Sequence, residues 1–283
     1  MNELPMHIQR AVARYKPIET CGLTLYPVLV REYETLLLGR PALEVMHQSL
    51  PVAMMRVPLL SALYQIDFEA AMQGETPTGL FSRSLVCLAL ALRLADGGTI
   101  EQMVRQFEVA VDPNDPARLM RLRFSDANGE SKEITPAQYS ELRKIIAAQN
   151  GIKIESDKAN PDIVRAGKLK AAATDIHLDI NIEDWISAIS ALSGVAEEDI
   201  DEWPILKFQR RSDSFQRILS YVICGVGECS GTTWKDGNPS PHPFFAKEKF
   251  GSGILTEMGG SADGTKPTPP EAASAIRTIT QKL

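Results

Sequence analysis

Basic charge is in short supply in this chain: 30 Lys and Arg face 36 Asp and Glu, a formal net charge of −6 with the four His neutral. A dedicated nucleic-acid binder presents a basic face, so that class is not expected. Lys207, Arg210 and Arg211 do cluster, but on a helix such residues most often form a solvated face. Cysteine is scarce as well. Cys21, Cys87, Cys224 and Cys229 are the four in 283 residues, and no two stand in a CxxC pair. Cys87 lies inside the apolar run from Leu85 to Leu92, where a reduced, buried thiol is the expected state. That usage fits a reducing cytoplasm. Long hydrophobic runs are missing: the longest, around Leu85 to Leu94, is too short to span a bilayer and contains Arg93. The opening residues, Met1-Asn-Glu-Leu-Pro-Met-His7, hold no basic segment followed by an apolar one, so no signal peptide is expected.

What is present is the composition of a globular protein, 44% hydrophobic and 23% charged, in a chain long enough for one or two domains with a real core. The patterning predicts a mainly α protein with a small inserted antiparallel β-sheet (α+β), a helical bundle-like core and a flexible C-terminal tail. Residues 1–103 read as an N-terminal helical domain with a short strand, 104–134 as the inserted sheet, 135–250 as a C-terminal helical domain with a Pro/Gly/aromatic loop, and 251–283 as the tail.

Residues 1–16 are a helical lead-in, and Cys21 to Pro27 alternates as a short strand. Residues 28–39 carry a helical period, with Gly39 as C-cap and Pro41 as stop. Pro58 opens a helix with Leu59, Leu60, Leu63 and Ile66 on one face. Gly79 to Ala95 is the most hydrophobic helix, expected in the core and ended by Gly97-Gly98. Phe107 to Val111 and Leu119 to Phe124 alternate as strands, and Asn128-Gly129 is a two-residue hairpin turn before a return at Ser131 to Ile134.

Thr135-Pro136-Ala-Gln138 is a helix start with a capping box, followed by the stripe Tyr139, Leu142, Ile145, Ile146 and the stop Asn150-Gly151. Asn160-Pro161 starts a helix to about Ala173. Asn181 caps another, with Trp185, Ile186, Ile189 and Leu192 inward and Gly194 at its end. Glu197 to Trp203 is a helical turn, and Pro204 opens a long amphipathic helix to about Gly227. After Gly251 the chain turns to Gly, Ser, Thr and Pro, ahead of a terminal helical segment from Glu271 to Leu283.

No motif for catalysis stands out. Gly259 and Gly264 have a phosphate-loop separation, but Thr265-Lys266-Pro267 inverts the Lys-Ser/Thr order and adds a proline. Cys224, Cys229 and His242 are near one another, with Cys21 or His47 as a conceivable fourth ligand, yet zinc sites favour CxxC-type spacing; free thiols are the expectation. Gly227-Glu-Cys-Ser-Gly231 is not GxSxG, because its serine is displaced by one. Glu197-Glu-Asp-Ile-Asp-Glu202 reads as a solvated helix start favoured by the macrodipole. The expectation is therefore a protein that is not an enzyme and uses no metal or cofactor.

Binding chemistry is better represented. The long helix runs into Gly231 to Phe245, a Pro/Gly-rich loop with Trp234, Phe244 and Phe245. Aromatics and prolines give rigid apolar contact at low entropic cost. The loop docks either on the rest of the chain or on a partner. The residues assigned to partner binding are Trp234, Asn238, Pro239, Pro241, Phe244 and Phe245, with Phe208 and Arg211 on the helix.

Three segments carry a resemblance: Ile134 to Asn150, Glu202 to Arg211, and Gly231 to Pro239. Together they resemble proteins of the tail modules of tailed phages and prophages, and the helical N-terminal part with its tail is similar to tail assembly chaperones. The sheet at 104–134 departs from that small helical pattern. The resemblance implies a non-enzymatic chaperone that binds the tape measure protein and tail tube protein during tail morphogenesis, with no nucleic acid or membrane as partner. It would act in the cytoplasm of the bacterial host. Alternatives are a structural tail or baseplate component of the virion, and a small-molecule enzyme of unknown class.

Overall fold

The computed structural model describes residues 4–94, 99–126, 128–155, 162–167, 181–232 and 238–240. The fold is mainly α with a small antiparallel sheet, an α+β protein. The chain divides into two units, Met1–Gln209 and Arg210–Leu283. No helix among the described residues is long and apolar enough to cross a membrane.

In the first unit, α1 (Met6–Ala13) leads into β1 (Ile18–Thr20) and β2 (Leu23–Leu25), an antiparallel hairpin. The strand expected from Cys21 begins two residues later. Cys21 and Gly22 instead form the turn, both with positive φ (52° and 72°), the backbone of a two-residue hairpin that matches strand twist.

Helix α2 spans Tyr33–Glu44 and contains both residues expected to end it, Gly39 and Pro41. Packing explains the difference. A Cβ on Gly39 would sit 2.5 Å from Cys87 Sγ and 3.3 Å from the Arg83 carbonyl, so glycine lets α2 lie close on α4 (Leu80–Leu92). Pro41 removes one intrahelical donor, which the helix tolerates in this packed setting.

Helix α3 (Leu59–Met72) buries Leu59, Leu60 and Leu63, with Ile66 half-buried. Helix α4 buries every residue from Ser84 to Leu92 and packs against α2, α3, α5 (Ile100–Val104) and α6 (Pro136–Gln149). Its N-terminus is capped from a distance. Asp67 on α3 accepts from the Gly79 and Phe81 amides (3.1 and 3.0 Å) and from the Thr78 hydroxyl (2.6 Å). The helix stops at Arg93, in the left-handed region with φ 54°, before the expected Gly97-Gly98, which lies outside the described residues. The Arg93 guanidinium lies over the Tyr26 ring, 4.4 Å from its centroid.

The inserted sheet is β3 (Glu108–Asp112), β4 (Asp115–Ser125) and β5 (Ser131–Ile134), antiparallel in the order β3-β4-β5. Leu119, Leu122, Phe124 and Ile134 are buried. Register shifts after Ala110, where Ala110 pairs Arg121 but Val111 pairs Leu119, leaving Met120 as the extra residue of a bulge. The turn at Asn128-Gly129 is longer than two residues. The Asp126 amide bonds to the Glu130 carbonyl, and the Asp126 carboxylate accepts from the Asn128 and Glu130 amides, with Gly129 at φ 78°.

Helix α6 starts at the Thr135/Gln138 capping box as expected. Its Tyr139, Leu142, Ile145 and Ile146 are buried in one core with Leu25, Leu60, Leu88, Leu122 and Ile205, so helices that precede and follow the sheet in the chain share that core. Residues 162–167 belong to α7; Pro161 and the remainder of that expected helix lie outside the described residues. Asn181 caps α8 (Ile182–Ser193), accepting from the Asp184 amide at 2.8 Å, and Gly194 ends it at φ 68°. Ile186 and Ile189 are buried, but Trp185 and Leu192, expected inward, are exposed, because only one narrow edge of this helix is covered. Then come α9 (Glu197–Asp201) and α10 (Ile205–Cys229). The tail at 251–283 lies outside the described residues.

Candidate functional site

The start of α10 is anchored by backbone. The Val30 amide donates to the Trp203 carbonyl and the Ile205 amide to the Val28 carbonyl, each at 2.9 Å. Asn150, the C-cap of α6, accepts from the Val28 amide at 3.0 Å and thereby holds the same strip. Ile205, Leu206 and Phe208 are buried. The Phe208 ring lies 6.3 Å from that of Trp185, and the Lys207 ammonium sits 3.9 Å above the Trp203 ring. Phe208, assigned to partner binding on sequence, thus has its side chain in the interior rather than on an exposed face.

Further along the same helix, in the second unit, burial stops but the apolar period does not. Ile218 is 40% exposed, Leu219 46%, Val222 51%, Ile223 51% and Val226 61%. With half-buried Phe215 they recur at the three- and four-residue spacing that puts side chains on one helical face. Single exposed apolar residues are ordinary, whereas a contiguous run of them marks an interaction surface. Arg211, also exposed, lies one turn before Phe215 and is the charged residue on this face.

The other side of α10 is covered in part. Cys224 is buried, and burial pushes its thiol up from the ordinary range, offset partly by the Ser240 backbone N–H and reinforced by the Glu228 carboxylate. The Asn238 side chain accepts from the Ser240 amide at 2.8 Å, closing a local turn. Asn238 also lines an open groove of about 560 Å³ with Tyr221, Val222, Gly225, Val226, Glu228, Cys229 and Ser230. So part of the Gly231–Phe245 loop lies along the last turns of α10. Asn238 and Pro239 are half-buried there; Trp234, Pro241, Phe244 and Phe245 lie outside the described residues.

Sequence reasoning assigned binding to the loop and to Phe208 and Arg211, and left out Ile218, Leu219, Val222, Ile223 and Val226. Their signal was the apolar period itself, which gives a face but not whether anything covers it. Among the described residues no group of three or more His, Cys, Asp or Glu is placed to hold a metal ion, and the four cysteines are free thiols. A smaller groove of about 130 Å³, between Val30, Arg31, Glu34, Glu183, Ile186 and Asp201, is polar, and Arg31 is engaged by Glu202.

Comparison of the chain with protein-family models, with curated proteins and with solved structures finds no match.

Proposed function

We propose that this protein is a non-enzymatic binding protein of tailed-phage tail assembly, a chaperone that holds apolar helices of the tape measure protein and engages tail tube subunits. The observation that carries the binding reading is the apolar face of α10 at Ile218, Leu219, Val222, Ile223 and Val226. Helix-in-groove recognition uses this pattern, with anchors at i, i+3, i+4 and i+7. Five side chains of this size supply the apolar contact that holds a client's own apolar stripe out of water. The phage assignment rests on the resemblance of Ile134 to Asn150, Glu202 to Arg211 and Gly231 to Pro239.

Affinity purification of the tagged full chain from cells carrying its native genetic surroundings, read by mass spectrometry, tests both parts. The expected co-purifying proteins are a very long helical protein and tube subunits. Val222→Asp places a charge on the face at an exposed position, so it should change stability by less than about 0.5 kcal/mol yet lower recovery of those partners at least tenfold. Recovery unaffected by Val222→Asp would remove α10 from the binding site. Recovery of no phage protein would sink the phage reading, and presence of the protein in finished virions would make it a structural component.

A further inference from the structure

Helix α8 buries one edge, Ile186 and Ile189, and turns a second apolar stripe outward. Trp185 is 36% exposed and Leu192 49%, and Ala188 between them is exposed too. Positions i, i+3 and i+7 share one helical face. The three form a ridge about 10 Å long at 1.5 Å per residue, with a notch at Ala188 between two large side chains. Such a notch receives a side chain of a second helix packed on the first, and tryptophan is enriched among interface anchors.

Charge selects the class of helix. From Asn181 to Leu206 the chain has seven acids, all between Glu183 and Glu202, and no Lys or Arg. The formal charge of the whole chain is −6, so the rest of it is nearly neutral. Helix macrodipoles favour acids in first turns, which accounts for Glu183 and Asp184 in α8 and for Glu197 to Asp199 in α9. They disfavour Asp201 and Glu202, at the C-terminal end of α9. Among the described residues this segment makes one ion pair, Glu202 with Arg31, and the next base, Lys207, lies over the Trp203 ring. Acids stand beyond both ends of the ridge. Asp184 precedes Trp185. After Leu192, Gly194 at φ 68° ends the helix and the Ser190 hydroxyl donates to the Val195 carbonyl at 2.7 Å, so α9 opens with Glu197 and Glu198 directly after the turn. A second copy of α8 brings the same acids and is repelled.

We propose that this face of α8 docks a basic amphipathic helix of a partner protein. The partner's apolar side chains lie on Trp185, Ala188 and Leu192, with one seated in the notch. Its Lys or Arg residues, at either end of its stripe, face Asp184 and the pair Glu197 and Glu198. The acidic field speeds encounter and sets the sign of the partner, and the apolar ridge supplies the contact. The surface shares no residue with the α10 stripe proposed for client helices, and it differs from that stripe in charge.

The test uses the full chain and three fluorescein-labelled, amidated peptides of about 18 residues, five helical turns. The first has Leu at i, i+3, i+4 and i+7 spacing and Lys elsewhere. The second keeps the Leu positions and replaces Lys by Glu. The third has the composition of the first in an order that breaks the period. Fluorescence anisotropy should show binding of the first peptide only, weakening about tenfold from about 50 to about 300 mM salt. Ala188→Arg fills the notch with a base at an exposed position and should weaken binding about tenfold or more. Glu197→Gln/Glu198→Gln should weaken it about threefold and flatten the salt dependence. Both variants should keep the unfolding midpoint of the parent. With p-benzoylphenylalanine in place of Leu192, irradiation should link that position to the first peptide. Equal binding of the third peptide would reduce the surface to its charge and overturn the proposal. Binding of the second peptide, an affinity untouched by Ala188→Arg, or no binding would overturn it as well. Links from position 192 to another copy of the chain, with the peptide present, would replace the partner helix by self-association. No phage protein is present, so the result stands apart from the purification experiment.

Discussion

Glycine shows how the same substitution takes opposite signs at two positions. In an exposed helix interior, alanine is better than glycine by about 1 kcal/mol. Gly225 on α10 has nothing within 4 Å of an added Cβ, so Gly225→Ala should raise helix stability by about 0.5–1 kcal/mol. Gly39 faces Cys87 Sγ at 2.5 Å, so Gly39→Ala should destabilise by about 1–3 kcal/mol through overpacking. Adding Cys87→Ala should recover part of that loss. Thermal or denaturant unfolding of the three variants checks both signs. Cys87 carries a second expectation. Burial pushes its thiol up to about 12 from 9.0. Between pH 9 and 12 the unfolded chain releases this proton and the folded chain keeps it. Stability is therefore fully present below pH 9 and falls by about 1.4 kcal/mol per pH unit above it. Buried Tyr139 is raised in the same direction and adds to the loss at the alkaline end. Denaturant titration from pH 8 to 11 should show this slope, and Cys87→Ala should flatten it.

At the scale of the element, ends are decided by whichever group reaches the unpaired amides. Where the cap is adjacent, local chemistry marks it: Thr135 with Gln138 for α6 and Asn181 for α8. Helix α4 is capped by Asp67, twelve residues before Gly79, and no spacing rule finds that. Asp67→Ala strands two amides and the Thr78 hydroxyl, and should cost about 1–2 kcal/mol. Asp67→Asn, which keeps one acceptor, should cost less. A comparison of the two midpoints in urea is the check, and equal losses would contradict the capping role. The same logic accounts for α2 running through Gly39 and Pro41: its extent follows from the α4 surface it lies on.

For the molecule as a whole, the sheet is not an appendage to the first unit. Leu119, Leu122, Phe124 and Ile134 belong to the same core as Leu60, Leu88 and Tyr139. Ser61 on α3 donates to the Leu119 carbonyl at 3.1 Å. Leu122→Ala should therefore destabilise the main helical unfolding transition by about 2–4 kcal/mol, and Leu60→Ala should do the same. Circular dichroism at 222 nm against near-ultraviolet signals would show it. A sheet that melts first, with helices unaffected, would contradict the shared core.

The sequence by itself determined the fold class, the three strands of the inserted sheet, the caps at Thr135 and Asn181, and the burial of the stripe Tyr139, Leu142, Ile145 and Ile146. Each follows from local spacing and from amides satisfied by near neighbours. The candidate site was half legible: the amphipathic helix after Pro204 was apparent, but the residues assigned to binding were those of the following loop, with Phe208 and Arg211 on the helix. Only the tertiary structure decided that Phe208 is interior while Ile218, Val222 and Val226 face outward. The stripe on α6 and the stripe on α10 have the same period. One is covered by α3, α4 and β4 and the other is open among the described residues. Periodicity states which residues share a face; what covers the face is set by elements far away in the chain.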